Sequence, residues 1–333
     1  MPGGFDYRLP AVRSLRSPTA FRDLAPSTAS FRDAVLAGLR RTSKQLSCKF
    51  LYDERGSQLF EAICDLDEYY PFRAETDLLR RHAAGIAAAL GPGCQLIEFG
   101  AGATVKIRLL LAALERPSAY VPVDISGDHL RQAAAALAAD YPGLPVIAVC
   151  ADYTRRFPLP DLAPGAGRRV GLFLGSTIGN FSAPEAIAFL ATAAEQLQGG
   201  GMLVGVDLKK DPAVLDAAYN DAKGVTAAFI LNLLTRINRE LDGSFDLANF
   251  AYVGAYNADA GRVEMFIESR RDQVVRVAGQ PIRFRSGERV HVENSHKYSV
   301  AEFRALAAHA GFRPENVWTD AMNLFSLHYL AAP

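Results

Sequence analysis

From Glu75 onward the chain alternates between helical periodicity and short apolar runs, and this alternation constrains the fold more than any other feature. The helical pattern "ETDLLRRHAAGIAAALG" leads to the apolar run "CQLIEFG", then "KIRLLLAALER" to "AYVPVDIS", and "DHLRQAAAALAADYP" to "LPVIAVCADY". "RVGLFLGS", "SAPEAIAFLATAAEQL" and "GMLVGVDL" continue the series to about residue 208. Strands that are apolar along most of their length are covered on both faces, and strands separated by helices return in parallel. An α/β protein is expected, with a parallel sheet between two layers of helices.

The texture changes after Asp211. Residues 212 to 242 carry helical periodicity, and 250 to 295 read as short antiparallel strands such as "RVEMFIES", "DQVVRVAG" and "RVHVENS". The first pattern then resumes with the helix "SVAEFRALAAHAGF" and the strands "ENVWTD" and "FSLHYLAAP". Two helices, "STASFRDAVLAGLRRTS" and "GSQLFEAICDL", precede the series. The expected organisation is a loose tail over 1–27, an α/β domain over 74–211 and 297–333, and an inserted α+β unit made from 28–73 and 212–296.

Charge narrows the partners. Lys plus Arg and Asp plus Glu each number 36, so the formal net charge is zero. That removes the electrostatic footprint of a nucleic-acid or anionic-membrane partner and leaves a small molecule as the expected ligand. The four cysteines, Cys48, Cys64, Cys94 and Cys150, are scattered without metal-ligand spacing and read as reduced core residues. The N-terminal stretch has no apolar signal-like core, and the apolar runs are too short to span a bilayer. A cytoplasmic monomer with no bound metal is expected.

Ligands of open α/β sheets bind beyond the carboxyl ends of the strands. The first strand of the series closes on "EFGAGATVK", where Gly100 and Gly102 permit a tight turn but Val105 stands where a dinucleotide fingerprint would put its third glycine. Asp124 closes the second strand, placed to hold both ribose hydroxyls, and Asp152 with Tyr153 closes the third, suiting an adenine. With Glu98, three acids stand at three successive strand ends. Each could merely cap the following helix; three in register point instead to a cofactor. The progression resembles the class I S-adenosylmethionine (SAM)-dependent methyltransferases, which implies a Rossmann-like, seven-stranded sheet. An acidic, glycine-lined turn suits a sulfonium better than a pyrophosphate.

A narrower resemblance rests on "YDERGSQLFEAICDLDEYYPFRAE", "GAGATVKIRLLL", "LGSTIGNF", "AYNDAKGVTAAFILNLL" and "ENSHKYS". Together these are similar to the histidine-specific N-alpha-methyltransferases of ergothioneine biosynthesis, from about Lys49 onward and in the same order. The resemblance implies SAM as donor, L-histidine and its mono- and dimethyl intermediates as substrates, and hercynine as product. It makes the α/β domain the SAM-binding domain and the inserted unit the substrate-binding domain. Tyr52, Gly100, Lys106, Asp124, Asp152 and Tyr153 would line the cofactor site, Tyr153 standing where the family often has Phe. Asn180 and Tyr219 would hold the amino-acid carboxylate, Tyr69, Gly175 and Phe229 would shape the pocket, and Met265, Glu293 and Ser295 would surround the imidazole. Tyr52, with Asn180 and Tyr219, would fix the reacting amine.

Taken singly, these positions also have ordinary readings. Asn180 could serve a left-handed turn before Phe181, and Phe229 and Met265 sit at core spacing. Three alternatives stay open: a related enzyme acting on tryptophan or a histidine derivative, a nicotinamide-dependent reductase, and a non-catalytic binding protein. In "RVHVENSHKYS" the two-residue period puts Val290 and Val292 on one face and Arg289, His291 and Glu293 on the other. An acceptor carboxylate and a hydroxyl that both donates and accepts can satisfy two ring nitrogens. A site so built disfavours Phe and Leu, whose binding would leave its own polar groups unpaired.

Overall fold

The computed structural model describes residues 19–24, 28–102, 104–162 and 165–333. Its N-terminal part carries strand β1 (Thr19–Asp23) and helices α1 (Thr28–Leu39), α2 (Glu54–Cys64), α3 (Tyr70–Arg81) and α4 (Ala83–Leu90). The alternating series follows as β2 (Gln95–Phe99), α5 (Val105–Ala113), β3 (Ala119–Asp124), α6 (Gly127–Asp140), β4 (Val146–Cys150), β5 (Arg169–Phe173), α7 (Ala183–Gln196) and β6 (Gly201–Asp207). Helices α8 (Pro212–Tyr219) and α9 (Val225–Glu240) lead into β7 (Phe250–Asn257), β8 (Arg262–Ser269), β9 (Gln273–Val277), β10 (Gln280–Phe284) and β11 (Arg289–His296). Helix α10 (Val300–His309) and strands β12 (Arg313–Thr319) and β13 (Phe325–Ala331) close the chain.

The main sheet runs in the order β1-β4-β3-β2-β5-β6-β13-β12. All pairs are parallel except those of β13, which runs antiparallel to both β6 and β12. Strands β2, β6 and β13 are buried at every position, as expected of strands covered on both faces. One face packs under α3 to α6 through Leu79, Ile86, Leu110 and Leu137; the other packs under α7 and α10 through Phe189, Leu190 and Phe303. Full burial of each such side chain contributes about 1.5–3 kcal/mol.

Two expectations need correction. Among the described residues the sheet has eight strands rather than seven, and the additional one comes from the segment expected to be a loose tail. Thr19–Asp23 pairs residue for residue with Val146–Cys150 as β1. Phe21 packs against the core of the α3–α6 face, under the Arg131 guanidinium 3.9 Å from its ring centroid. A five-residue edge strand with one aromatic and two charged residues carries little periodic signal, which is why it reads as tail. Residues 1–18 and 25–27 of that expected tail lie outside the described residues. The helix expected over "ETDLLRRHAAGIAAALG" is likewise two helices: α3 begins early, with Pro71 in its first turn, and His82 leaves helical geometry before α4.

A third apolar cluster joins α1, α2, α8, α9 and the strands β7 to β11, with members from Phe31 to Tyr70 and from Leu215 to Val292. Phe229, Ile230, Leu233, Leu234 and Ile237 form the buried stripe of α9. Strands β11, β8 and β7 form an antiparallel sheet in that order, and β10 pairs with β9. This unit meets the main sheet along β11. Tyr298 bridges to Leu208 just beyond β6, and the turn Thr177–Asn180 after β5 packs against the end of β11. A Cβ on Gly179 would lie 2.8 Å from the His296 carbonyl oxygen, so only glycine permits this approach.

Candidate active site

The strand ends and the seam enclose a cavity of about 930 Å³. Every residue expected to bind cofactor or substrate lines it: Tyr52, Tyr69, Gly100, Lys106, Asp124, Asp152, Tyr153, Gly175, Asn180, Tyr219, Phe229, Met265, Glu293 and Ser295. At one end stand the strand-terminal acids. Asp124 accepts a hydrogen bond from the Ser126 amide at 2.8 Å, and burial raises its pKa. Asp152 accepts from the amide and hydroxyl of Thr154 and from Lys49 Nζ at 3.0 Å. Burial opposes its charge, but Thr154 and Lys49 hold its pKa below the ordinary aspartate value. Both acids therefore shape their own turns while facing the cavity, so the local and functional readings are compatible. Gly100 has φ +77°, and a Cβ there would meet the Tyr153 ring at 3.5 Å. The third acid differs: Glu98 is buried, bonds the Tyr120 hydroxyl, and is pushed up to about 7 by burial.

Lys106 lies between the two ends. Its ammonium pairs at 2.5 Å with Glu75, a fully buried carboxylate that also accepts the Gly175 amide at 2.9 Å. Glu75 therefore couples α3 and α5 to the end of β5. A row of rings forms one wall: Phe229, Tyr52, Phe60, Tyr69 and Tyr219 follow one another at centroid separations of 5.5, 5.7, 6.4 and 6.1 Å. These contacts are predominantly edge-to-face, the arrangement favoured by the ring quadrupole. Burial holds the Tyr52, Tyr69 and Tyr219 hydroxyls above the ordinary tyrosine pKa, so each keeps its proton.

The opposite end is built by β11, and strict alternation fails there. His291 pairs with Phe266 of β8, but Glu293 pairs with the adjacent Met265, so the β11 strand carries a bulge. Its effect is a change of face. Val290, Glu293 and Ser295 lie opposite Ile267, Met265 and Val263, which all point inward. Glu293 is consequently parted from Arg289 and His291 and turned into the cavity, the re-aiming a bulge provides. The expectation that Glu293 shares the face of Arg289 and His291 is therefore corrected.

Glu293 is 7 % exposed and accepts from Asn180 Nδ2 at 2.8 Å. Burial pushes its carboxyl up to about 8, against the opposing pull of Lys297. The Tyr219 and Ser295 hydroxyls are 2.7 Å apart, and Lys297 Nζ lies 2.8 Å from each and 2.6 Å from Asp207 Oδ2. Asp207 also accepts from the Tyr70 hydroxyl at 2.7 Å and from Lys210 at 2.5 Å.

Sequence reasoning assigned no role to Lys297, Asp207, Glu75, Lys49 or Phe60. Lys297 lies inside the quoted "ENSHKYS", and Phe60 inside "GSQLFEAICDL", but neither stretch signals that a lysine is fully buried or that a helical Phe faces a cavity. Three cysteines are buried as expected, whereas Cys48 is half-buried and lines the cavity.

A family model described as histidine-specific, SAM-dependent methyltransferase matches residues 31–332. The histidine N-alpha-methyltransferase of Mycolicibacterium smegmatis is 42% identical over 304 residues, covering 90% of this chain and 94% of that protein. The enzyme of the same name from Mycobacterium tuberculosis is 39% identical over 308 residues, covering 91% and 95%. Ergothioneine biosynthesis protein 1 of Neurospora crassa is 34% identical over 296 residues, covering 86% of this chain and 33% of that longer protein.

Proposed function

The chain belongs to the family of histidine-specific, SAM-dependent methyltransferases, and on that premise we propose that it methylates the α-amino nitrogen of L-histidine three times, giving hercynine for ergothioneine biosynthesis. The observation that carries the reading is the polarity of this cavity. Carboxylates at two strand ends suit an adenosyl group, and a buried Asn–Glu pair beside a Ser–Tyr pair suits a small zwitterion with a polar ring. The glycine turn with its aromatic cover and two acids fits SAM. SAM, when bound, supplies an electrophilic methyl group.

The chain's own residues hold and orient. Asp124 would accept from ribose hydroxyls, Asp152 from the adenine amino group under Tyr153, and Gly100 and Lys106 would meet the methionyl portion. Asn180 spends one amide hydrogen on Glu293 and has a second for the substrate carboxylate, which Tyr219 also meets. Tyr52 orients the amine, Tyr69, Gly175 and Phe229 bound the pocket, and Met265, Glu293 and Ser295 receive the ring. Only the neutral α-amino group carries the lone pair that attacks, so the site has to select that form and align it with the methyl group.

Tryptophan is the competing substrate. An indole has one donor N–H and no acceptor, so it would leave part of the Glu293–Ser295 pair unsatisfied in a buried site. Turnover across an amino-acid panel with SAM tests the reading: histidine is expected to be preferred by at least tenfold. Equal turnover of tryptophan would contradict the assignment. The reading also takes the enzyme to be a cytoplasmic monomer, which size-exclusion chromatography tests in its second part.

A further inference from the structure

One group at this site touches no part of the cavity yet organises two groups that do. The Lys297 side chain has no exposed surface, and its ammonium has three hydrogens and three partners: Asp207 Oδ2 at 2.6 Å, and the Tyr219 and Ser295 hydroxyl oxygens at 2.8 Å each. It therefore has no hydrogen left for a ligand. An ammonium only donates, so both hydroxyls must turn a lone pair toward it. Standing 2.7 Å apart, the hydroxyls also share one of their own two protons. One hydroxyl proton remains for the cavity that both residues line.

The charge order explains why a lysine is needed. Asp207 lies behind the pair as a buried carboxylate; burial opposes its ionisation, but Lys297 and Lys210 hold its pKa low. Without the ammonium between them, that carboxylate would be the strong acceptor on the far side of the hydroxyls and would draw their protons away from the cavity. Lys297 reverses the polarity that Tyr219 and Ser295 experience. Tyr219 itself stays protonated beside the cation, because burial raises its pKa.

We propose that Lys297 is a positioning residue that turns the Tyr219–Ser295 pair outward, so that Tyr219 donates the one free proton to the amino-acid carboxylate and Ser295 meets the imidazole as an acceptor. This rests on the histidine methyltransferase reading above and adds the substrate form. Ser295 then takes the ring N–H, and the bare ring nitrogen faces Glu293, which must carry a proton to bond it. A neutral imidazole beside a neutral Glu293 satisfies all these groups together. Burial of Glu293 favours that state.

The test is steady-state kinetics with calorimetric SAM binding for Lys297→Met and Lys297→Gln, each in the wild-type background and in a Tyr219→Phe/Ser295→Ala background. Asp207 retains Tyr70 and Lys210 as partners, so both variants are expected to fold and to bind SAM within about twofold of wild type. In the wild-type background Lys297→Met is expected to raise the histidine KM by about tenfold or more, with Lys297→Gln between. Without the two hydroxyls the same lysine substitution should cost less than about twofold, because Lys297 acts through them. An unchanged KM, an equal loss in both backgrounds, or failure of both variants to bind SAM would overturn the proposal, the last two assigning Lys297 a general structural role. Wild-type protein is assayed first: no turnover of histidine would sink the functional reading, whereas normal turnover with an insensitive Lys297 sinks only this inference.

Discussion

At the scale of single residues, the site depends on polar groups made strong by burial. Glu293 is the sharpest case. Burial raises its carboxyl from the ordinary 4.5 to about 8, so between those values the folded chain holds a proton that the unfolded chain has released. The associated stability is fully present below about pH 4.5 and is lost as pH rises through about 8. Melting curves of wild type and Glu293→Gln from pH 5 to 9 should therefore converge or cross as pH rises, the wild type losing up to a few kcal/mol relative to the amide. Parallel curves would mean that Glu293 is ionised throughout. At the other end of the cavity, Asp124→Asn should weaken SAM binding by roughly 10- to 100-fold in calorimetry while leaving the melting temperature within a few degrees. An unaltered affinity would remove Asp124 from the cofactor site. Asp124 was legible as an acid closing a strand, and Glu293 through the short motif "ENSHKYS". Lys297 and Glu75 were not, because a lysine at a strand end and a glutamate in the first half of a helix ordinarily face water, and only tertiary packing buries them.

At the scale of elements, the β-bulge in β11 is what makes the site. The apolar alternation of "RVHVENS" correctly marks a strand, but period two assigns Glu293 to the wrong partners, and one extra residue reverses the assignment. Inserting one alanine between Met265 and Phe266 of β8 should give Val292 a partner, restore a regular ladder and return Glu293 and Ser295 to the face of Arg289 and His291. The expected outcome is loss of histidine turnover by about 100-fold or more, with SAM affinity within about threefold, since the strand ends that carry Asp124 and Asp152 belong to the other sheet. Normal histidine turnover in the insertion variant would show that the bulge does not orient the ring contacts. Most helices and strands of the main sheet were readable from periodicity alone. The division of one expected helix at His82 was not, because the alanine-rich sequence around it continues in good helix formers.

At the scale of the whole molecule, two packed bodies of apolar residues meet where chemistry is needed. The alternation of strands and helices was enough to expect the parallel sheet and an interposed unit, but not that β13 would run antiparallel to both of its neighbours. It was not enough to find β1, whose five residues gain their conformation from pairing with β4 rather than from their own pattern. Removing residues 1–24 should lower the melting temperature by a few degrees and leave histidine methylation within about threefold, because β1 lies at the sheet edge beyond β4. Loss of SAM binding on truncation would show that the edge strand supports the cofactor end directly. The central claim concerns what the whole assembly produces, and mass analysis of an exhaustive reaction of wild-type protein with SAM and L-histidine addresses it most directly. The account predicts that histidine gains three methyl groups on its α-amino nitrogen with about three equivalents of SAM consumed. A product that stops at one methyl group, or no methylated histidine at all, would contradict it.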